Sequence, residues 1–154
     1  MSKLETILAS NDEIEIIEAI GTIIWGKKQE EDSLTEGETA FVLIDIFEGA
    51  MQEGGFQYFF ENETGNFARE IVDAYKKIGA PKTANIIAKA IGLFGINNYH
   101  DAFDKRTATI SKLDEKVLSG WEDLDEIFFN DEQEEDVVAL IVTYIRNHKT
   151  EFPS

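Results

Sequence analysis

Apolar residues recur along this chain at intervals of three and four, the spacing of one face of an α-helix, and no stretch sustains the two-residue alternation of a strand. Ile16, Ile17, Ile20, Ile23 and Ile24 keep that spacing behind Asn11 or Asp12 as N-cap. Glu13, Glu15 and Glu18 fall early in the same helix, where its dipole is positive, and the pattern ends at Trp25-Gly26-Lys27-Lys28. Paired isoleucines also suit a strand, but the glutamates do not alternate with them over a strand's length. A short helix over residues 2–9 precedes this one. Beyond the polar loop from Gln29 to Ser33, Thr35 and Glu38 form a capping-box pair. They open a helix that runs to about Glu53 through Phe41, Ile44, Phe47 and Met51, with Asp45 and Glu53 toward solvent.

Asn66 is the expected cap of the next helix, with Phe67, Ile71, Val72, Tyr75 and Ile78 inward and Gly79 as its end. Pro81 suits the first turn of its successor, which is expected to bury Ile87, Ala88, Ile91 and Phe94. Gly95-Ile96-Asn97-Asn98 reads as a turn. Residues 99–112 predict a helix through Ala102, Phe103 and Ile110. Residues 114–129 predict another through Val117, Leu118, Trp121, Leu124, Ile127 and Phe128, with Ser119-Gly120 as a candidate break. The last helix, about 132–149, starts in acids and finishes in Arg146, His148 and Lys149, as the macrodipole prefers. The expectation is an all-α multi-helix bundle of about seven or eight helices, one domain over residues 1–154.

One stretch interrupts this rhythm: Gly54-Gly55-Phe56-Gln57-Tyr58-Phe59-Phe60-Glu61-Asn62-Glu63-Thr64-Gly65. Two glycines can end a helix without a Cβ penalty. Phe56, Phe59 and Phe60 then share one face of a short helical turn, while Tyr58 points elsewhere. Asn62 and Thr64 suit local backbone hydrogen bonds, and Gly65 a tight turn. Aromatics at this spacing read first as an aromatic plug between helices, and second as a small-ligand box around Tyr58.

Gly54, Gly55, Phe56, Phe59, Phe60, Asn62, Thr64 and Gly65, followed by Ile78-Gly79-Ala80, resemble the signature of a bacterial family catalogued as a domain of unknown function, one that includes a DNA-mimic protein. The chain departs from that signature at Glu53, where Asn is expected, at Tyr58, where Gln is expected, and at Glu63, in place of a small hydroxyl residue. The resemblance covers about residues 35–93, with a looser echo in Tyr144-Ile145-Arg146 and Glu151-Phe152. It implies an acidic protein that occupies the DNA-binding surface of a basic partner.

The charge bears on that implication. The 154 residues hold 31 acids against 14 bases, a formal net charge of −17. The excess sits at the two ends: residues 1–53 sum to −10 and residues 111–154 to −8, while residues 54–110 sum to +1. Such a field repels nucleic acid and anionic lipid and attracts basic proteins. Direct nucleic-acid binding and membrane binding are therefore not expected. The densest acids are Glu122, Asp123, Asp125, Glu126, Asp131, Glu132, Glu134, Glu135 and Asp136, with no base among them, and Glu30, Glu31 and Asp32 come second. On this basis the partner is expected to be a basic protein, of the DNA-binding kind if the acids imitate phosphates. The rival readings are an immunity or antitoxin-like inhibitor of a basic toxin, and a small-ligand module at the aromatic corner. A two-fold homodimer would extend the acidic rows.

Catalytic chemistry finds no pattern to stand on. Cysteine is absent, which removes disulfides and thiolates. His100 and His148 are the two histidines, and neither belongs to a spaced ligand motif. Asp123, Asp125 and Asp131 lack the glycine and terminal glutamate of a calcium loop. No enzyme activity, metal or cofactor is expected. With no signal-like start and no long apolar run, the protein is expected to be cytoplasmic.

Overall fold

The computed structural model describes residues 3–95, 98–131 and 136–152, the side chain of Asp131 excepted. Among them are eight α-helices and no strand: α1 (Lys3–Leu8), α2 (Glu13–Gln29), α3 (Glu36–Glu61), α4 (Ala68–Lys77), α5 (Pro81–Gly92), α6 (Phe103–Ile110), α7 (Glu115–Asp131) and α8 (Val137–Asn147). Short 3-10 helices occupy Glu63–Phe67 and Lys149–Glu151. The all-α expectation holds. The helices group into two compact units, residues 1–42 with 136–154 and residues 43–135, and the boundary falls inside α3 rather than in a linker.

In the unit of the two chain ends, α2 packs against α1 and α8. Asp12 caps α2 by accepting the main-chain N–H groups of Ile14 and Glu15, and Ile16, Ile20 and Ile24 are buried on its inner face. The capping box forms as the spacing predicts: Glu38 N donates to Thr35 Oγ1 at 3.1 Å and Thr35 N to Glu38 Oε1 at 3.0 Å. Glu38 does more than cap. Buried, it also accepts Lys27 Nζ on both oxygens at 2.8 Å, which ties the end of α2 to the start of α3. Glu151 ties the C-terminal segment to the same place, since its side chain accepts Gly37 N at 2.9 Å and Tyr144 Oη at 3.1 Å. The Thr35 hydroxyl donates to the Glu151 carbonyl.

In the other unit, α4 and α5 form a hairpin and α5 packs on α7. The hairpin turn closes with Gly79 at φ 84° and Ala80 N donating to Tyr75 O at 2.8 Å, a C-terminal cap that needs left-handed backbone. Several expected positions fall differently. Asn66 does not cap α4: residues 63–67 wind into the 3-10 helix, and Asn66 accepts Arg106 instead. Phe67 and Ala88 are exposed, and Ala84, Ile86 and Ala90 join the expected Ile87 in the core positions of α5. Helix α7 runs unbroken through Ser119-Gly120, where the missing side chain admits Leu93 from the end of α5: a Cβ on Gly120 would meet Leu93 Cδ1 at 2.8 Å. Trp121, Leu124 and Phe128 of α7 are buried, but Ile127 is exposed. In α6, Ala102, Phe103 and Ile110 do not fill the core; Arg106, between them, does. The last helix starts at Val137, capped by Asp136. The predicted turn at Ile96-Asn97 lies outside the described residues.

Candidate partner-binding surface

The aromatic stretch builds a corner first. Gly54 is extended and Gly55 sits at φ 71°, ψ −161°, a region open to glycine alone. A Cβ on Gly55 would also collide with the Asp125 carboxylate. The helix restarts at Phe56, whose N–H donates to Asp125 Oδ1 at 2.8 Å, so a side chain of α7 caps the second half of α3. Burial pushes the Asp125 carboxyl above its ordinary range, opposed by the Phe56 N–H and assisted by Glu122 nearby.

Phe56, Phe59 and Phe60 are fully buried, as their spacing predicts, and Tyr58 is exposed. Their ring faces are spent on one another and on the core: Phe59 lies 5.1 Å edge-on to Phe47, and Phe60 lies 4.9 Å from Phe94 and stacks at 5.0 Å on Trp121. A ligand seated among these rings would have to displace core contacts. Asn62 and Thr64 make the expected local bonds, to the carbonyls of Tyr58 and Phe59, both at 2.8 Å.

The residue that holds this corner is one the sequence reading passed over. Arg106 is 0% exposed and uses every N–H of its guanidinium. Nε donates to Phe60 O at 2.8 Å. Nη1 donates to His100 O at 3.0 Å and Asp101 O at 2.9 Å. Nη2 donates to Asn62 O at 2.6 Å and Asn66 Oδ1 at 2.9 Å. All five acceptors are neutral oxygens, so desolvation lowers its pKa, countered by the neighbouring Tyr99 hydroxyl and Asp101 carboxylate. Gly65 is required here for close approach: a Cβ would stand 2.9 Å from Arg106 Nε and 2.9 Å from the Phe59 carbonyl. Tyr99 Oη completes the cage by donating to Gly65 O at 2.6 Å, and burial pushes its pKa up to about 12. A signal for Arg106 was present, because it stands three or four positions from Ala102, Phe103 and Ile110, at the centre of that apolar stripe.

The acids lie mostly outside this cage. Glu122, Asp123 and Glu126 of α7 are exposed, whereas Asp125 is half-buried and engaged with Phe56, which takes it out of the exposed set. Glu115, which the sequence reading did not single out, is exposed on the same helix. Spacings of seven and four put Glu115, Glu122 and Glu126 in one row, about 10.5 and 6 Å apart along the axis. Glu132, Glu134 and Glu135, with the side chain of Asp131, lie outside the described residues. Asp136 is spent in part as the α8 cap. Glu30, Glu31 and Asp32 are exposed and close α2, with Glu31 at φ 61°, a left-handed conformation uncommon outside glycine.

His100 contributes only a main-chain carbonyl to the Arg106 cage, and His148 ends α8 with Nδ1 donating to Tyr144 O at 2.9 Å. Among the described residues no three His, Asp or Glu side chains are grouped to hold a metal ion, and no helix is long and apolar enough to cross a membrane.

Residues 32–148 match the family model described as DMP19-like protein, a span that takes in the capping box, the corner, the Arg106 cage and the acids of α7. The chain belongs to the DMP19-like protein family. The match runs well past the stretch that carries the signature, as far as the end of α8. No curated protein and no solved structure matches the chain.

Proposed function

We propose that this DMP19-like chain is a non-enzymatic binding protein that presents carboxylates in place of DNA phosphates to the DNA-binding surface of a basic protein. The observation that supports it is the row on α7. Successive phosphates of one DNA strand rise about 3.4 Å, so two and three steps span about 7 and 10 Å. The intervals of about 6 and 10.5 Å between Glu126, Glu122 and Glu115 fall close to those steps on a rigid helix. Asp123 stands beside the row, and Asp131, Glu132, Glu134 and Glu135 extend its charge along the chain. Glu30, Glu31 and Asp32 form a second acidic set. Membership of the family supports the same reading, and the net charge of −17 supports a basic partner.

The test immobilises the protein, passes a lysate of its own cells over it, and elutes once with duplex DNA and once with salt. Mimicry expects a basic DNA-binding protein that leaves with duplex at low salt, and that a Glu115→Gln/Glu122→Gln/Glu126→Gln variant fails to retain. A basic protein that duplex cannot displace would replace mimicry with the inhibitor reading. Retention of no basic protein would leave the acids a role in solubility alone.

A further inference from the structure

Helices α2 and α8 pack together at their N-terminal ends and leave a groove lined by Asn11, Asp12, Glu13, Ile14, Asp136 and Val138. It joins two acidic segments that lie far apart in the chain, because Asp136 ends the acid run that begins at Glu122. Two of its lining residues, Ile14 and Val138, are apolar. Ile14 is 53% exposed, the most exposed large hydrophobic side chain among the described residues, and it stands off the stripe of Ile16, Ile20 and Ile24 that faces the core. Val138 beside it is half-exposed. Three of the lining residues are carboxylates, and among the described residues no basic side chain lines the groove.

The charge decides what can enter. A nucleic acid or an anionic lipid would bring negative charge to these carboxylates, and a second copy of the chain carries a net −17. A lysine or arginine side chain meets both parts of the groove, since its aliphatic stem covers apolar surface while its head stays among carboxylates. We propose that this groove seats a lysine or arginine of an amphipathic basic segment of the partner, with the stem on Ile14 and Val138 and the cation between Asp12, Glu13 and Asp136. The proposal rests on the reading above that the partner is a basic protein. It adds an anchor that salt weakens little, because burial of Ile14 is not screened.

Two helical peptides of equal length and charge, one of Lys and Leu and one of Lys and Ser, serve as probes against the isotope-labelled full chain. At low salt both should bind. At about 0.5 M NaCl, where screening is nearly complete, the Lys/Leu peptide alone should stay bound and shift the amides of residues 11–15 and 138–139. Ile14→Ser should weaken that residual binding roughly tenfold, the loss expected for exposing one isoleucine. Glu13→Gln should weaken the low-salt component for both peptides. Both substitutions leave the Asp12 and Asp136 caps in place. Equal loss of both peptides with salt, or shifts confined to other residues, would overturn the proposal. The two readings fail separately: duplex competition through α7 tests mimicry, and the Ile14→Ser effect at high salt tests the groove.

Discussion

Arg106 shows how much one side chain can organise. Five N–H groups on five fixed oxygens leave the guanidinium no slack, and a lysine cannot copy the fork with three donors on one nitrogen. Arg106→Lys should therefore cost at least about 2 kcal/mol by urea unfolding, since two or more buried carbonyls lose their donors. Arg106→Met should cost about 3–5 kcal/mol, and a loss below about 1 kcal/mol would show that the cage is not what holds the corner. Asp125 is a second case, with a sign that can be worked out. Its folded-state pKa is raised, so the folded protein holds that proton more tightly than the unfolded chain, and its contribution to stability falls as pH rises from about 4. Asp125→Asn keeps an oxygen for Phe56 N–H and removes the half-buried charge. It should gain on the native chain as pH climbs through the carboxylate range, whereas Asp125→Ala should lose about 1 kcal/mol as a missing cap. Parallel pH profiles for the native chain and the Asn variant would refute this.

At the scale of elements, the helices were legible wherever local rules set them. The capping box of Thr35 and Glu38, the Asp12 cap, the isoleucine row of α2 and the Pro81 start of α5 are all decided within a few residues, and each forms. Local rules give way where a partner distant in sequence takes over. Asn66 is drawn from capping by Arg106, forty positions away, and Gly120, inside an unbroken helix, leaves the space that Leu93 occupies. The end of α2 carries a strain that can be measured. Glu31 at φ 61° occupies the position that ordinarily takes glycine, with Asp32 N donating to Lys27 O at 3.0 Å. Glu31→Gly should raise stability by about 1 kcal/mol, the cost of a left-handed residue bearing a Cβ. A thermal melt that moves down would show that Glu31 contributes more through its side chain than it loses through its backbone.

At the scale of the whole molecule, charge dominates. With a net charge of −17 and the acidic excess confined to the two ends, the native chain repels itself at low salt, and screening relieves the repulsion. The Debye length falls from about 30 Å at 0.01 M to about 8 Å at 0.15 M, so the melting temperature should rise over that interval. A melting temperature that fell with added salt would mean that native ion pairs outweigh the repulsion. The same field is what the proposed partner would feel. An excess of acids over bases is visible by counting; whether individual carboxylates are exposed is not a matter of counting. Glu122 and Glu126 are exposed, Asp125 caps Phe56, and Glu38 lies buried against Lys27.

The sequence by itself determined what short-range physics controls: the helical class, through apolar spacing of three and four; the starts of α2, α3 and α5, through their first-turn residues; the interruption at Gly54-Gly55; and the sign of the net charge. Only the tertiary structure decided which polar groups are structural. Arg106 is buried because four main-chain carbonyls and one amide oxygen, brought from two separate segments, converge where no local pattern could assemble them. Ile14 and Asp136 meet across a groove for the same reason. Packing joins residues that are distant along the chain, and a side chain's role depends on the atoms it finally touches.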